Sequence, residues 1–495
     1  MSNKVDTKKN LIMFPLGTVG RDMMYNLFTN FLLTYVLFTR RLDAAQLGAI
    51  TAIMVAARVF DAFNDPFMGN IIERTRSRWG KFKPWLVIGM VSTCLVVYAA
   101  FNSQLQGWSF VWYFGAIYFL YSITYTMHDI AYWGMIPSLG TDPDIRNQFT
   151  SRATLCAGIG GAVAGFLIPL FTTGATTLGG SASYAFGRMA LVVCILAPLF
   201  LCFTVFGVRE NRDYNKQKAP PVSFRKIIGT ISGNDQLLWI ALIFLIQQIG
   251  NGLALGGLGS TYLYFELGYE GGFYSNFSTF GLAATAVLMV LYPAISRKIN
   301  RKPLMGIMTA VSAVGYLIMI AVGIFMPSTN ANLKCWLFTA GYMGANFGQY
   351  SFYLIMMISI LNTVEYNEFK TGERDEAIIA SLRPFLTKLS SAFIAIITYI
   401  SYTVFGVLSY TNQISDLEQQ TSMGLISEAD KLSQIGSVIG NVQTGQKLGL
   451  LMCVTVVPFI LMFISYVLYK KHYSLDEEYY NSICKAIEEK KGEVI

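Results

Sequence analysis

The chain has 495 residues, of which 54% are hydrophobic and only 13% charged, and its formal net charge is +8. Soluble domains usually carry about 25% charged residues, so the composition excludes an ordinary soluble enzyme and predicts a multi-pass protein of the cell membrane. The basic residues cluster in short connecting segments, which indicates membrane topology and not a nucleic-acid partner.

A membrane-spanning helix needs about 20 largely apolar residues. The sequence predicts twelve such spans, at 11–38, 45–72, 84–101, 108–137, 149–173, 183–208, 237–265, 271–295, 304–326, 333–361, 378–408 and 446–469. The segment before the first span has no small-residue cleavage site, so we expect a retained span and not a cleaved signal peptide.

Basic residues are concentrated after spans 2, 6 and 8, whereas connections 3–4, 5–6 and 7–8 carry none. By the positive-inside rule, both termini are predicted to be cytoplasmic. One group of cytoplasmic basic residues is predicted either to set topology or to act as a gate between the two halves: Arg74, Arg76, Arg78, Lys81, Lys83 and Arg146.

The basic, proline-containing segment 209–236 is predicted to be a cytoplasmic linker between two six-helix halves, 1–208 and 237–469. A weak internal similarity supports this division: the segment after span 2, ERTRSRWGKFKP, resembles the segment after span 8, ISRKINRKP. Parallel six-helix halves are typical of the major facilitator fold, so we predict an all-α membrane protein of that fold.

Two polar segments lie outside the predicted spans. Segment 409–445 is predicted to be extracytoplasmic, as a surface helix or a solvated loop. The tail 470–495 is predicted to be a cytoplasmic amphipathic helix or a disordered segment.

Span 2 contains two acids four residues apart, Asp61 and Asp65, with Asn64 between them. This spacing places all three on one side of a helix. A charge at mid-bilayer costs about 2.5–3.5 kcal/mol, so intramembrane acids point to function. Two carboxylates and an amide oxygen suit a small hard cation or a proton. The alternative is structural pairing of the acids with Arg58 or Arg152.

Other costly groups lie in spans 1, 4, 5 and 11. They are Arg21, Asp22, Asp129, Arg152 and Lys388. Asp22 and Asp129 would be either ligand-binding groups or partners in interhelical salt bridges. Trp133 would either bind a ligand or belong to an interfacial aromatic belt. His128 is expected to make an interhelical hydrogen bond, and the alternative is a proton relay.

Several motifs in order carry a family resemblance. They are DAFNDPFMG followed by TRSRWGKFKPW, then TYTMHDIAYWGMIP, NDQL, and EYNEFK followed by a lysine in span 11. With these motifs the chain resembles the glycoside–pentoside–hexuronide:cation symporters of the major facilitator superfamily, and is most similar to the type that carries melibiose with sodium.

The resemblance implies a monovalent cation site, with Na⁺ as the expected cation, at Asp61, Asn64, Asp65 and Thr126. It implies a sugar site at Asp22, Arg21, Asp129, Trp133, Arg152 and Lys388. The chain departs from the family at Arg383 and Pro384, where the family has glutamine and threonine. This departure alters the second half of the implied sugar pocket.

We therefore predict a secondary active transporter that carries a sugar or glycoside with Na⁺, Li⁺ or H⁺ by alternating access. The alternatives are a proton-coupled symporter or exchanger on the same fold, and a transporter of a non-sugar solute. The spans hold no metal-ligand spacing and no nucleophile–base constellation, so an enzyme is not expected. The expected partners are the sugar, the coupling cation and the lipid bilayer. No resident cofactor is expected, and the protein is predicted to function as a monomer.

Overall fold

The structure is a computed structural model that describes residues 7–140, 143–210 and 224–492. Over these ranges the chain is helical and has no β-strand. The helices are α1 (Thr7–Thr39), α2 (Ala44–Arg74), α3 (Lys83–Phe101), α4 (Gly107–Leu139), α5 (Pro143–Thr172), α6 (Ala182–Gly207), α7 (Phe224–Gly233), α8 (Asp235–Leu253), α9 (Gly256–Leu267), α10 (Gly271–Ser296), α11 (Arg301–Phe325), α12 (Ala331–Thr371), α13 (Glu376–Val404), α14 (Leu408–Ser422), α15 (Glu428–Gly440), α16 (Thr444–His472) and α17 (Glu477–Gly492).

Each of the twelve predicted spans lies on helical structure, with two notable differences. The seventh span is divided into α8 and α9, and the second of these begins at Gly256 with a φ of +67°. The tenth is longer than expected because α12 continues to Thr371. It ends where Gly372, at a φ of +77°, donates its N–H to Glu368 O. A left-handed glycine is a common helix terminator.

Nine helical segments in the described ranges are long and apolar enough to cross a membrane. Helices α1, α4 and α10 are not among the nine, so the count of twelve stays a prediction, as does the cytoplasmic placement of the termini. Residues 211–223 of the predicted linker lie outside the described residues, as do 493–495 of the tail.

Segment 409–445 folds as two helices, α14 and α15. Ser427 begins α15 as its N-cap, since its hydroxyl accepts a hydrogen bond from Asp430 N at 3.1 Å. Acidic residues in the first turn, Glu428 and Asp430, suit the positive end of the helix dipole. Segment 409–445, for which the sequence allowed a surface helix or a solvated loop, is therefore largely helical.

The chain forms two compact units. Unit 1 comprises the described residues up to 210 together with 268–275 and 402–443. Unit 2 comprises the described residues from 224 to 267, 276–401 and 444–492. Helices α14 and α15 thus pack with the first six helices, although they lie between α13 and α16 in the chain.

In unit 1, α1 packs against α5 and α6, while α4 packs against α2 and α3. Close approach of α1 depends on glycines. A Cβ on Gly20 would lie 2.4 Å from Ala197 Cα, and one on Gly160 would lie 2.1 Å from Val19 O. Small residues let membrane helices pack backbone to backbone. Helices α1, α2 and α4, which carry the predicted acids, all lie within this unit.

In unit 2, α12 packs against α11 and α8 against α16. The tail forms helix α17, whose Glu477 carboxylate accepts hydrogen bonds from Arg301 N at 2.8 Å and Arg301 Nε at 2.9 Å. Ile483 and Ile487 of α17 are buried in the core of unit 2. The tail is therefore helical over Glu477–Gly492.

Candidate functional site

Asp61 lies on α2 and is only 3% exposed. Its carboxylate accepts a hydrogen bond from Arg58 Nη1 at 3.1 Å and another from the Ser122 hydroxyl on α4. Arg58 also donates to Tyr118 Oη at 3.0 Å. The i, i+3 spacing on α2 brings the guanidinium to the acid. The sequence left open whether Asp61 binds a cation or pairs with an arginine. In the structure Asp61 pairs with Arg58, whose charge offsets that of the acid.

Asp65 lies one turn further along α2. Its carboxylate accepts a hydrogen bond from Thr126 Oγ1, on α4, at 3.0 Å. Asn64 is 6% exposed. Its Nδ2 has no hydrogen-bond partner among the residues that the structure describes. Arg58 lies against one of these two acids, so its charge offsets part of theirs.

A second cluster joins α1 to α4 through Arg21. Its guanidinium donates to Asp22 at 2.6 Å and 2.9 Å, and to Asp129 at 2.9 Å. The Arg21 side chain is 5% exposed, whereas those of Asp22 and Asp129 are 19% and 34% exposed. The two carboxylates therefore keep accessible oxygens while a buried guanidinium holds them in place.

Aromatic rings flank this cluster. The Arg21 guanidinium carbon lies 5.0 Å from the centre of the Trp133 ring and 5.3 Å from that of Tyr132. Tyr132 is fully buried, and its hydroxyl donates to Phe14 O at 2.5 Å. Trp133 is half-buried. An accessible aromatic ring beside two carboxylates suits a ligand with hydroxyl groups and an apolar face.

Helix α4 contributes to both clusters. Ser122 and Thr126 donate to the acids of α2, and Asp129 pairs with Arg21 of α1. These three residues follow the spacing i, i+4, i+7, which keeps them on one side of a helix. A shift of α4 would therefore change the contacts of both the acids of α2 and the Arg21 cluster.

The contacts described above do not involve the other two predicted sugar-site residues, Arg152 and Lys388. Arg152 is exposed, and it donates to Leu11 O at 3.2 Å. Lys388 is half-buried on α13, which belongs to unit 2. Arg383, on the same helix, donates to the Met357 sulfur at 3.3 Å. The structure thus groups Arg21, Asp22, Asp129 and Trp133.

Sequence reasoning missed Ser122 and Tyr118 and gave Arg58 only as an alternative partner. Ser122 had a usable signal, because it lies four residues, about one helical turn, before Thr126. His128 differs from expectation. Both of its ring nitrogens lack a hydrogen-bond partner among the residues described, and it is buried. A Cβ on Gly89 would lie 2.7 Å from His128 N, so α3 packs tightly there.

Most of the predicted cytoplasmic basic residues lie around the connection between α2 and α3, within unit 1. Lys81 Nζ pairs with Glu73 at 2.5 Å, and Lys83 Nζ donates to Val208 O at 2.7 Å. In the same connection or at its edge, Arg76 donates to Glu73 O, and Arg74 and Arg78 are exposed. Arg146 lies apart in sequence, near the start of α5, and donates to Gly140 O. Their role as a gate stays a prediction.

Comparison with known proteins gives one family. A family model described as MFS/sugar transport protein matches residues 13–477. Similar relatives include a raffinose carrier protein of Pediococcus pentosaceus, 28% identical over 397 residues, and a lactose permease of Leuconostoc lactis, 29% identical over 405 residues. Each alignment covers 77% of this chain and 60% of the relative, so the chain spans about three-fifths of the length of these relatives.

Among solved structures, the chain is similar to a bacterial homologue of the human lysosomal transporter Spinster in an inward-facing, unoccupied conformation. The TM-score is 0.65 at 12% identity, covering 95% of this chain and 99% of the other. At that identity the similarity shows the fold alone, and together with the family match it confirms the prediction of an all-α major facilitator fold. The matched family model is described as a sugar transport protein, in agreement with the prediction of a transporter and not an enzyme.

Proposed function

Because the chain belongs to the MFS/sugar transport protein family, we propose that it is a secondary active transporter that moves a sugar or glycoside together with a monovalent cation. The family membership confirms the resemblance found in the sequence. The coupling ion, the substrate and the site residues are proposed from the geometry of unit 1.

The observation that supports the proposal most directly is that α4 contacts both the proposed cation site and the proposed sugar site. Thr126 contacts Asp65 of the proposed cation site, and Asp129, three residues on, pairs with Arg21 in the proposed sugar site. A cation at Asp65 would restrain the turn of α4 that positions Asp129. Cation binding would then raise sugar affinity, and sugar would raise cation affinity by the same factor.

The cation, which is cargo for this protein, would be held by oxygen atoms of Asp61, Asn64, Asp65 and Thr126. Oxygen ligands without sulfur or imidazole suit a hard cation. Arg58 offsets part of the negative charge of the two acids, and we propose one cation for each sugar. We favour Na⁺ or Li⁺ because an amide such as Asn64 supplies a ligand oxygen, which a proton does not need. The alternative is a proton, which would balance the same charge.

The sugar would bind at Asp22 and Asp129, with Arg21 holding both carboxylates in place. Carboxylate oxygens accept strong hydrogen bonds from neighbouring hydroxyls, and Trp133 would cover the apolar face of the ring. The names of the relatives, a raffinose carrier and a lactose permease, favour a glycoside of two or three sugar units. Alternating access would expose this site to each side in turn.

The test is uptake into proteoliposomes that contain the purified protein. Labelled raffinose, lactose, melibiose and a glucuronide are offered at fixed pH with Na⁺, with Li⁺ or with neither. We expect at least one glycoside to accumulate in a Na⁺- or Li⁺-dependent manner. Accumulation driven by a proton gradient alone would favour the alternative, and no accumulation of any glycoside would contradict sugar transport.

A further inference from the structure

One side of α1 stays polar for two helical turns beyond Asp22. The residues at i, i+3, i+4, i+7 and i+8 lie on one side of a helix, and here they are Asp22, Tyr25, Asn26, Thr29 and Asn30. All five are partly or largely exposed, whereas the residues between them in the chain are buried. An acid and two side-chain amides facing lipid would be costly, so we expect this stripe of α1 to line water.

Asn26 attaches the stripe to α5. Its Nδ2 donates to Gly161 O at 2.9 Å, and eight residues earlier in both helices Thr18 Oγ1 donates to Ala153 O at 3.0 Å. The two helices therefore run in the same direction and keep the same register over this length. Hydrogen bonds of this kind join membrane helices, which is a sufficient reason for Asn26 to be polar.

Helix packing does not explain Asn30 in the same way. Asn30 is exposed, and among the described residues its side chain makes one hydrogen bond, from Nδ2 to Asn26 Oδ1 at 3.2 Å. A side-chain amide has two donor hydrogens and an oxygen that accepts. One donor and the oxygen of Asn30 are therefore available to a ligand. Asn26, held by Gly161 O, fixes the orientation of this amide.

The surface of α5 next to Asn30 is open. Because Asn26 contacts Gly161 and the two helices run in register, Asn30 lies level with Gly165, one turn further on. A Cβ on Gly165 would meet no atom of a neighbouring described residue within 4 Å, and one on Gly161 would meet only Asn26 Nδ2, at 3.6 Å. The absence of side chains on this side of α5 leaves room for a ligand along α1.

Aromatic rings lie one turn beyond the two carboxylates of the proposed sugar site. Tyr25, three residues after Asp22, is 38% exposed, and its ring centre lies 5.5 Å from that of Tyr125. Tyr125 lies one turn before Asp129 on α4, whereas Trp133 lies one turn after it. The carboxylates therefore have an aromatic surface on each side, which suits two linked rings better than one.

The length of the stripe distinguishes one sugar unit from two. The eight residues from Asp22 to Asn30 rise about 12 Å along the helix. A single ring held at the carboxylates does not extend this far, but a second ring linked to it and laid along α1 would pass Tyr25 and reach Asn30. Tyr25 would cover its apolar face, and the Asn30 amide would exchange hydrogen bonds with its hydroxyls.

From this arrangement we infer a second sugar subsite within unit 1, in which Tyr25 and Asn30 bind the second ring of a glycoside and Asn26 positions Asn30. The substrate is then a glycoside of at least two sugar units, held by its first ring at Asp22 and Asp129. This inference rests on the proposed function and extends its sugar site.

The first test compares one ring with two on the purified protein. The probes are matched pairs of a disaccharide and the methyl glycoside of its non-reducing ring: lactose, melibiose, cellobiose and maltose with the corresponding methyl galactosides and methyl glucosides. Equilibrium binding is measured at saturating Na⁺. We expect at least one disaccharide to bind about tenfold more tightly than its partner. Disaccharides that bind no better than the methyl glycosides in every pair would overturn the second subsite.

Asn30→Leu separates the two rings in a folded protein, because the residue is exposed. Each neutral hydrogen bond lost should weaken disaccharide binding by about two- to tenfold, while the affinity for the methyl glycoside stays within about twofold. Asn26→Ala should shift the same ratio in the same direction, since it releases the Asn30 amide. An unchanged ratio of the two affinities in Asn30→Leu would overturn the subsite, whether or not both affinities fall.

The second test detects the ring at Asn30 directly. Asn30→Cys is made in a sugar-binding background whose seven native cysteines are replaced by alanine, and its reaction with N-ethylmaleimide is timed. A saturating disaccharide should slow the reaction at least threefold, and a saturating methyl glycoside should change it less than twofold. Asn441→Cys, at an exposed position outside the stripe, is the control and should be protected by neither.

Equal protection of position 30 by one ring and by two would overturn the subsite. This failure differs from that of the proposed function. If methyl glycosides are bound and transported but disaccharides are not preferred, sugar transport stands and the second subsite alone is wrong. If no glycoside is bound or transported, both are wrong.

Discussion

The hydroxyl of Thr126, on α4, donates a hydrogen bond of 3.0 Å to the carboxylate of Asp65, on α2. Three residues further along α4, Asp129 pairs with Arg21 of α1. One helix therefore touches both the acids proposed for the cation and those proposed for the sugar. We expect a change at either cluster to reach the other through α4.

Replacing Asp65 with cysteine should abolish cation-stimulated sugar uptake. The change removes one of the two carboxylates proposed to bind the cation, and it removes the acceptor of the Thr126 hydroxyl. We expect at least a tenfold loss of uptake in proteoliposomes at saturating Na⁺, with normal membrane insertion. The control is Glu489→Gln, an exposed carboxylate of the tail. Undiminished sodium stimulation in the Asp65 variant would defeat the assignment of the cation site.

Replacing Asp129 with cysteine should eliminate most sugar binding. A hydrogen bond to a charged group contributes about 1.5–3 kcal/mol, so the loss of this carboxylate should weaken binding by ten- to 150-fold. Equilibrium binding of a labelled glycoside to the purified protein measures the change. Unchanged affinity in a folded variant would place the sugar elsewhere.

Arg58→Met should change the dependence of uptake on sodium. In the wild-type protein, Arg58 offsets the charge of Asp61 across 3.1 Å. Without it, Asp61 would lose this partner, and its charge would attract a second cation. We expect the initial rate to become sigmoidal in Na⁺ concentration, where the wild type follows a simple hyperbola. Hyperbolic curves of equal midpoint in both proteins would show that Arg58 plays no part in charge balance.

Much of the fold was predictable because its determinants are local. Long apolar stretches gave the helices, and Asp61 and Asp65 were recognisable because charge in an apolar stretch is costly. The start of α15 was also recognisable, since Ser427 followed by Glu428 and Asp430 is typical of a helix N-terminus. The break before Gly256 was missed because glycines in an apolar stretch are common in membrane helices.

The partners of the charged residues were not predictable, because they depend on contacts between helices far apart in the chain. Arg21 was placed beside the sugar site, but nothing local shows that it joins Asp22 to Asp129. Arg152 is predicted among the sugar ligands, and nothing local shows its contact with Leu11 O. The docking of Glu418 on Ala182 joins residues more than 200 positions apart, and no sequence pattern encodes it.

Glu418→Gln should remove a pH dependence from the stability of unit 1. Burial raises the pKa of this carboxyl, so the folded state binds its proton more tightly than the unfolded state does. The stabilisation is present at low pH and is lost as pH rises through the raised pKa. Glutamine mimics the protonated acid and still accepts from Ala182 N. We expect the variant to be at least as stable as the wild type near neutral pH, and the wild type to approach it as pH falls.

Thermal unfolding in detergent, followed from about pH 7.5 to pH 5 in both proteins, measures this difference. Lys431→Met is the contrasting variant, since it leaves Glu418 buried without its cation and should be clearly less stable near neutral pH. A stability gap between Glu418→Gln and the wild type that widens as pH falls would contradict a raised pKa for Glu418.

The central claim, that α4 couples a cation site to a sugar site, is tested most directly by measuring binding in both directions. Sugar affinity is measured with and without Na⁺ at fixed pH, and Na⁺ affinity with and without sugar, in the wild type and in Thr126→Val. We predict that each ligand raises the affinity of the other by the same factor in the wild type, about 5–150-fold, and that this factor approaches one in the variant while both ligands still bind. A wild-type sugar affinity that does not change with Na⁺ would contradict the account.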